Sequence, residues 1–187
     1  MEYALKYQEN LKGLIISNMM ASIPEYVDYA NNVLGPQLDS AVLAEIRALE
    51  AKEDYSNPRY NDLIVTNYYP EHVLRMPLED WPDPVNRAFA NMSQGLYITM
   101  QGPSEFGVVG DAKLKYWDVK EKLKNISVPT LSIGGKYDTM DPEHMKWIAS
   151  EVQNGRFLFC EKGSHLCMYD SYDRSYYLTP GYYLTPG

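Results

Sequence analysis

Leu131-Ser132-Ile133-Gly134-Gly135-Lys136-Tyr137-Asp138-Thr139-Met140-Asp141-Pro142, followed after a helix-like run by Arg156-Phe157-Leu158-Phe159-Cys160-Glu161-Lys162-Gly163-Ser164-His165-Leu166, decides the fold. An apolar segment through Val128, Thr130, Leu131 and Ile133 stops at Gly134-Gly135 and delivers Asp138 into a loop. A second segment, Phe157 to Phe159, stops at Gly163 and delivers His165 into another loop. Two parallel strands joined by a crossover helix put both strand ends on one edge of a sheet. Open α/β sheets carry their chemistry on that edge. A carboxylate there accepts one ring N–H of an imidazole and supports its charged form, which leaves the other nitrogen to act as a general base. Asp138 and His165 therefore form a candidate acid–base pair. A second reading of the same residues makes Asp138 a helix N-cap and Gly163-Ser164-His165 a plain turn.

Composition narrows the classes. The chain has 187 residues, 45% of them apolar and 13% aromatic, enough for one substantial core and a smaller lobe. A net charge of −8 excludes a nucleic-acid binder, whose partner demands a basic face. No run approaches the roughly 18 apolar residues of a membrane span, and no signal-peptide pattern opens the chain, so a cytoplasmic protein is expected. The two cysteines, Cys160 and Cys167, flank His165. Without a fourth ligand they make a poor metal site, and the expectation is two buried free thiols and no metal.

Working outward, Met1 to Gln8 reads as a helix and Leu11 to Ser17 as a buried strand. That strand needs sheet neighbours, so the chain is expected to begin in the middle of a fold. Helices are predicted over Pro24 to Leu34, Gln37 to Asp54, Asn57-Pro58 to Tyr69-Pro70, and Asp83-Pro84 to Met92. The Gln37 to Asp54 segment aligns Leu38, Val42, Ile46 and Leu49 on one face. With no clear strand before Lys115, this span is read as an inserted helical lobe with its aromatics in the lobe core. A short helix through Leu123 and another opened by Asp141-Pro142 belong to the sheet. His72 carries no partner pattern and is read as structural, whereas His144 competes with His165 for the imidazole role; His165 is preferred because it lies in a strand-end loop and His144 on the helix itself.

Within the lobe, Gln101-Gly102-Pro103-Ser104-Glu105-Phe106-Gly107 holds an acid on a rigid turn. Glu105 there is either a site for a cationic group or a solvated turn residue. The chain closes on Tyr176 to Gly181, YYLTPG, repeated without change as Tyr182 to Gly187, which reads as a disordered tail.

These residues also carry a resemblance. ALKYQENLKGLIISNMMAS, YNDLIVTNYYPEHVLR, EDWPDPVNRAF, MQGPSEFG, SVPTLSIGGKYDTMDP and GSHLCMYD together resemble the proline iminopeptidases, serine-type α/β-hydrolases, from about Glu2 to Asp170. The resemblance implies a partial α/β-hydrolase fold: core remnant over 1–22, helical cap over 23–117, C-terminal core over 118–170 and repeat tail over 171–187. It implies that Asp138 is the triad acid, His165 the triad base and Glu105 the cap carboxylate that holds a substrate's free amine. It implies short peptides with an N-terminal proline as substrates, with no cofactor. Where some members carry a second acid after the triad acid, this chain has Thr139.

No G-x-S-x-G elbow occurs in the 187 residues. The resemblance places that elbow, with its oxyanion hole, ahead of Met1. Two functions follow: the acid-and-base part of an aminopeptidase, or a non-catalytic interaction module. In the second, open sheet edges lead to a complementary N-terminal half or to self-association.

Overall fold

The computed structural model describes residues 1–171, so all but the first residue of the expected tail lies outside the described residues. In chain order the elements are α1 (Glu2–Tyr7), β1 (Leu14–Ser17), α2 (Ile23–Tyr29), α3 (Ser40–Glu50), α4 (Pro58–Asn67) and α5 (Tyr69–His72). They continue with α6 (Asp83–Ala90), α7 (Gln94–Met100), β2 (Thr130–Gly135), α8 (Pro142–Glu151), β3 (Gly155–Cys160) and α9 (Cys167–Asp170). They divide into two compact units, one of Met1–Ala21 with the chain from Val119 onward, and one of Ser22–Asp118.

The first unit is a parallel sheet in the order β1-β2-β3. Leu14 lies opposite Thr130, and the β2–β3 ladder runs from Thr130 opposite Gly155 to Gly135 opposite Cys160. The central strand β2 is buried along almost its whole length, its polar Thr130 and Ser132 included, as expected of a strand with neighbours on both sides. Helix α8 crosses between β2 and β3 and packs on both through His144, Met145, Ile148 and Ala149. Asp141 starts it by accepting the Glu143 N–H at 2.9 Å, with Pro142 in the first turn. Gln8, just past α1, donates to the Asn125 carbonyl at 2.8 Å and accepts the Ser127 N–H at 2.8 Å. These bonds hold the N-terminal helix beside the segment that leads into β2.

The second unit is helical among its described residues, apart from a single antiparallel bridge between Ser22 and Asp118 at its two chain ends. The Ser22 hydroxyl reinforces that closure by donating to Asp118 at 2.9 Å. Its core gathers Ile46, Tyr60, Leu63, Ile64, Tyr68, Leu74 and Phe106, all essentially inaccessible. The Arg47 guanidinium sits over the Phe106 ring at 5.1 Å. His72 is buried with its ring 4.7 Å from that of Tyr68, a packing position.

Several boundaries depart from the sequence expectation. The helix expected from Gln37 starts at Ser40, because the Asp39 carboxylate accepts the N–H groups of Ala41 and Val42 and leaves Leu38 extended. The helix expected to run to Tyr69-Pro70 breaks at Tyr68, since Pro70 has no N–H to continue α4 and instead occupies the first turn of α5. The segment through Leu123 is a 3₁₀ helix, Lys120–Asn125. Helix α7 was not expected at all. It leaves Leu96 and Ile98 exposed, so it carries no apolar stripe to read. No helix among the described residues is long and apolar enough to cross a membrane.

Because Asp141 caps the helix that spans β2 and β3, Asp141→Ala should lower stability by about 1 kcal/mol. A shift in the urea midpoint at constant slope is the expected outcome.

Candidate active site

Strands β2 and β3 end side by side, and the loops that follow are bonded to each other. The Lys136 N–H donates to the Cys160 carbonyl and the Tyr137 N–H to the Gly163 carbonyl, both at 3.0 Å. The approach is so close that a Cβ on Gly135 would lie 2.6 Å from the carbonyl oxygens of both Gly163 and Ser164. Only glycine fits there. This contact brings Asp138 and His165 together: His165 Nδ1 lies 2.9 Å from Asp138 Oδ1. The carboxylate is fully buried, while the imidazole side chain keeps 22% of its surface exposed.

A buried carboxylate costs several kcal/mol unless it is paired and hydrogen-bonded. Asp138 meets that requirement on both oxygens. Oδ1 takes the Met140 N–H at 3.0 Å in addition to the ring, with the Thr139 hydroxyl at 3.4 Å. Oδ2 takes the Asn18 side-chain amide at 2.5 Å. An acceptor-only carboxylate holds the imidazole proton on Nδ1, which makes Nε2 the basic nitrogen of the neutral ring. The Thr139 hydroxyl lies 3.2 Å from Nδ1, so the residue standing at the second-acid position also touches the pair. The next residue back, Ser164, donates its N–H and hydroxyl to Asp170, which pins the loop that carries the histidine.

The other candidates near this edge are structural. His144 accepts the Ala21 N–H on Nε2 at 3.0 Å and holds the chain that leaves β1. Cys160 and Cys167 are buried thiols that form no disulfide with each other. A bond to the Cys160 thiol, then burial, pushes the Cys167 thiol well above its usual range. Among the described residues no cluster of His, Cys, Asp or Glu is placed to hold a metal ion.

Glu105 lies in the helical unit, on a turn bracketed by Gly102 and Gly107, both at positive φ (116° and 85°). Its carboxylate accepts the Tyr97 hydroxyl at 2.5 Å and the Gln101 amide at 3.1 Å. The turn backbone is held as well: Tyr26 donates to the Glu105 carbonyl at 2.6 Å, and Tyr69 accepts the Glu105 N–H at 3.3 Å. Burial, then the Glu105 charge, pushes all three phenols above their ordinary range, so they remain protonated. Tyr69 and Tyr97 also line a cavity of about 370 Å³ in this unit, with Trp81 and Phe89 completing its aromatic wall. The lobe aromatics thus do more than fill a core.

No family model matches the chain. A proline iminopeptidase from Elizabethkingia meningoseptica is 56% identical over 170 residues, which cover 91% of this chain and 56% of that protein. One from Flavobacterium johnsoniae is 54% identical over the same coverage. Its relatives are proline iminopeptidases. The chain spans about half the length of the curated relatives it matches. Among solved structures, VinJ superposes with a TM-score of 0.83 at 26% identity over 93% of this chain and 57% of that one. Proline iminopeptidase from Mycobacterium smegmatis gives 0.69 at 28% identity, over 89% and 54% respectively. An α/β-hydrolase from a deep-sea metagenome library shares the fold, with a TM-score of 0.51 at 17% identity over 94% and 56%. The three-stranded parallel sheet with its helices is a partial α/β-hydrolase fold.

Sequence reading named Asp138, His165 and Glu105 but missed the groups that hold them. Asn18 was legible in one respect, since it ends the apolar run of β1 on the same sheet edge. Tyr97 and Gln101 sit eight and four residues before Glu105, on and just past the helix that has no apolar stripe.

Two measurements follow. Gly135→Ala should cost about 1–3 kcal/mol in urea unfolding by forcing the two loops apart. Tyr26, Tyr60, Tyr69 and Tyr97 have folded pKa values raised above 10.0, whereas unfolded phenols ionise near that value. Above it the unfolded state binds fewer protons, so stability should be intact below pH 10 and fall as pH rises past it. Urea midpoints taken across that range test the sign.

Proposed function

We propose that this chain supplies the acid, the base and the amine-binding carboxylate of a serine-type prolyl aminopeptidase, which releases N-terminal proline from short peptides. The observation that carries the reading is the 2.9 Å pairing of His165 with a fully buried Asp138 at adjacent strand ends. In this reading Nε2 of His165 takes the proton of the attacking serine and later gives it to the leaving amine. Asp138 keeps the proton on Nδ1 and supports the imidazolium. Glu105, with its negative charge directed by Tyr97 and Gln101, holds the cationic prolyl amine. Thr139 adds a neutral hydroxyl where a second acid would add charge, so amine affinity rests on Glu105.

The 187 residues hold no G-x-S-x-G elbow, so the nucleophile and oxyanion donors of this reading come from outside them. The chain alone should release no nitroaniline from L-prolyl-p-nitroanilide. A chimera that places the N-terminal part of the Elizabethkingia meningoseptica relative ahead of it should be active. In that chimera His165→Ala should lower kcat by about 10³-fold or more. Glu105→Gln should raise KM for free-amine substrates far more than it affects amine-blocked ones. Unchanged turnover in His165→Ala would sink the base assignment, and equal losses on both substrate types would sink the amine assignment.

A second reading, an interaction module, is favoured by the sheet edge. Strand β1 is terminal in the sheet and Ile15 on it is 66% exposed, with Phe159 on the other terminal strand 46% exposed. Sedimentation of the pure chain should then give a concentration-dependent mass, and a strictly monomeric chain counts against it.

A further inference from the structure

We propose that Asn18, at the end of β1, is the positioning residue of the Asp138–His165 pair, its side-chain amide joining the acid to the loop that carries the base. The inference rests on the reading of that pair given above and extends it to a third strand end.

The geometry is specific. A carboxylate can rotate about its own axis, and only one of its rotamers aims an oxygen at Nδ1. Asn18 Nδ2 donates to Oδ2 of Asp138 at 2.5 Å and to the Ser164 carbonyl at 3.2 Å. One hydrogen of the amide therefore holds the oxygen that faces away from the ring. The other holds the peptide immediately before His165. Acid and base are thus referenced to a common group on a strand neither belongs to.

The amide cannot turn over. Its oxygen accepts the Ser17 hydroxyl at 2.6 Å and faces the Cys167 thiol at 3.5 Å, so donors fix the oxygen end and acceptors fix the nitrogen end. Its backbone is anchored too: the Asn18 N–H donates to the Ile133 carbonyl at 2.9 Å and continues the ladder between β1 and β2. The residue sits at φ 53° and is only 6% exposed. Asn and Asp are the side-chain-bearing residues that adopt this conformation with least strain. The position therefore selects a short amide: short enough for the left-handed backbone, with a donor toward the carboxylate and an acceptor toward Ser17.

The titratable groups that face this network are few. Asp138 and His165 form it, Cys167 on α9 meets the Asn18 oxygen, Cys160 on β3 bonds Cys167, and Asp170 holds Ser164. The Cys167 thiol, raised by its bond to Cys160 and by burial, stays neutral across the range in which a histidine titrates.

The test is a proton NMR titration of the full chain that follows the His165 ring, assigned by difference from His165→Gln. Asn18→Asp is isosteric and tolerates the same backbone, but it sets a second carboxyl at hydrogen-bond distance from Oδ2. Two carboxyls at that distance share one proton, so the new group keeps the donor toward Oδ2 but leaves the Ser164 carbonyl without one, and the His165 Nδ1–H resonance and midpoint should both shift. Asn18→Gly keeps the backbone and removes the amide. The His165 Nδ1–H resonance should be lost to solvent exchange and the midpoint should shift from that of the wild type. If either folded variant keeps the wild-type resonance and a midpoint within about 0.2 unit, the positioning role is overturned. In the active chimera Asn18→Asp should lower kcat at nearly constant KM. Turnover that survives His165→Ala would refute the functional reading instead, whatever the titration gives.

Discussion

A carboxylate with no exposed surface sits at the end of the central strand, and the rest of the sheet unit is arranged around making that tolerable. The Asp138 carboxylate has partners on both oxygens because three strand ends converge on it. β2 brings the acid itself with the Met140 N–H, β1 brings the Asn18 amide, and β3 brings the His165 ring. Each donor comes from a separate strand end, so the network exists only when the parallel register is formed. The absence of a side chain on Gly135 serves the same end, because it lets the 163–164 peptides pass close enough for His165 to reach the acid.

The second acid obeys a different logic. Glu105 is half-buried and lies on a turn, not at a strand end. Its charge is directed by two neutral donors, and its backbone is fixed by two phenols from different helices. Neither donor carries a positive charge. In the proposed reading this rigid acid meets a cationic ligand, whereas Asp138 meets the His165 ring. The surroundings of the two carboxylates thus differ in burial and in donor number.

Much of this was legible beforehand. The parallel strands were readable because β2 and β3 are apolar runs that stop at glycine, and α8 because Asp141-Pro142 announces a helix start. Asp138, His165 and Glu105 could be singled out since each follows a recognisable turn. The helix boundaries that went astray did so for local reasons. Asp39 captured two N–H groups and delayed α3, Pro70 divided α4 from α5, and α7 has no stripe because Leu96 and Ile98 face outward.

The sequence by itself determined the fold class, the strand that leads to Asp138, the strand that leads to His165, and the turn that bears Glu105. These are properties of short segments, written in runs, glycines and prolines a few residues apart. Only the tertiary structure decided that Asn18 serves Asp138 from 120 residues away, and that His165 pairs through Nδ1. It alone brought Tyr26 and Tyr69 onto the Glu105 turn. Hydrogen bonds between distant segments leave no period or spacing in the chain. They depend on strand register and loop approach, which are set when the sheet closes.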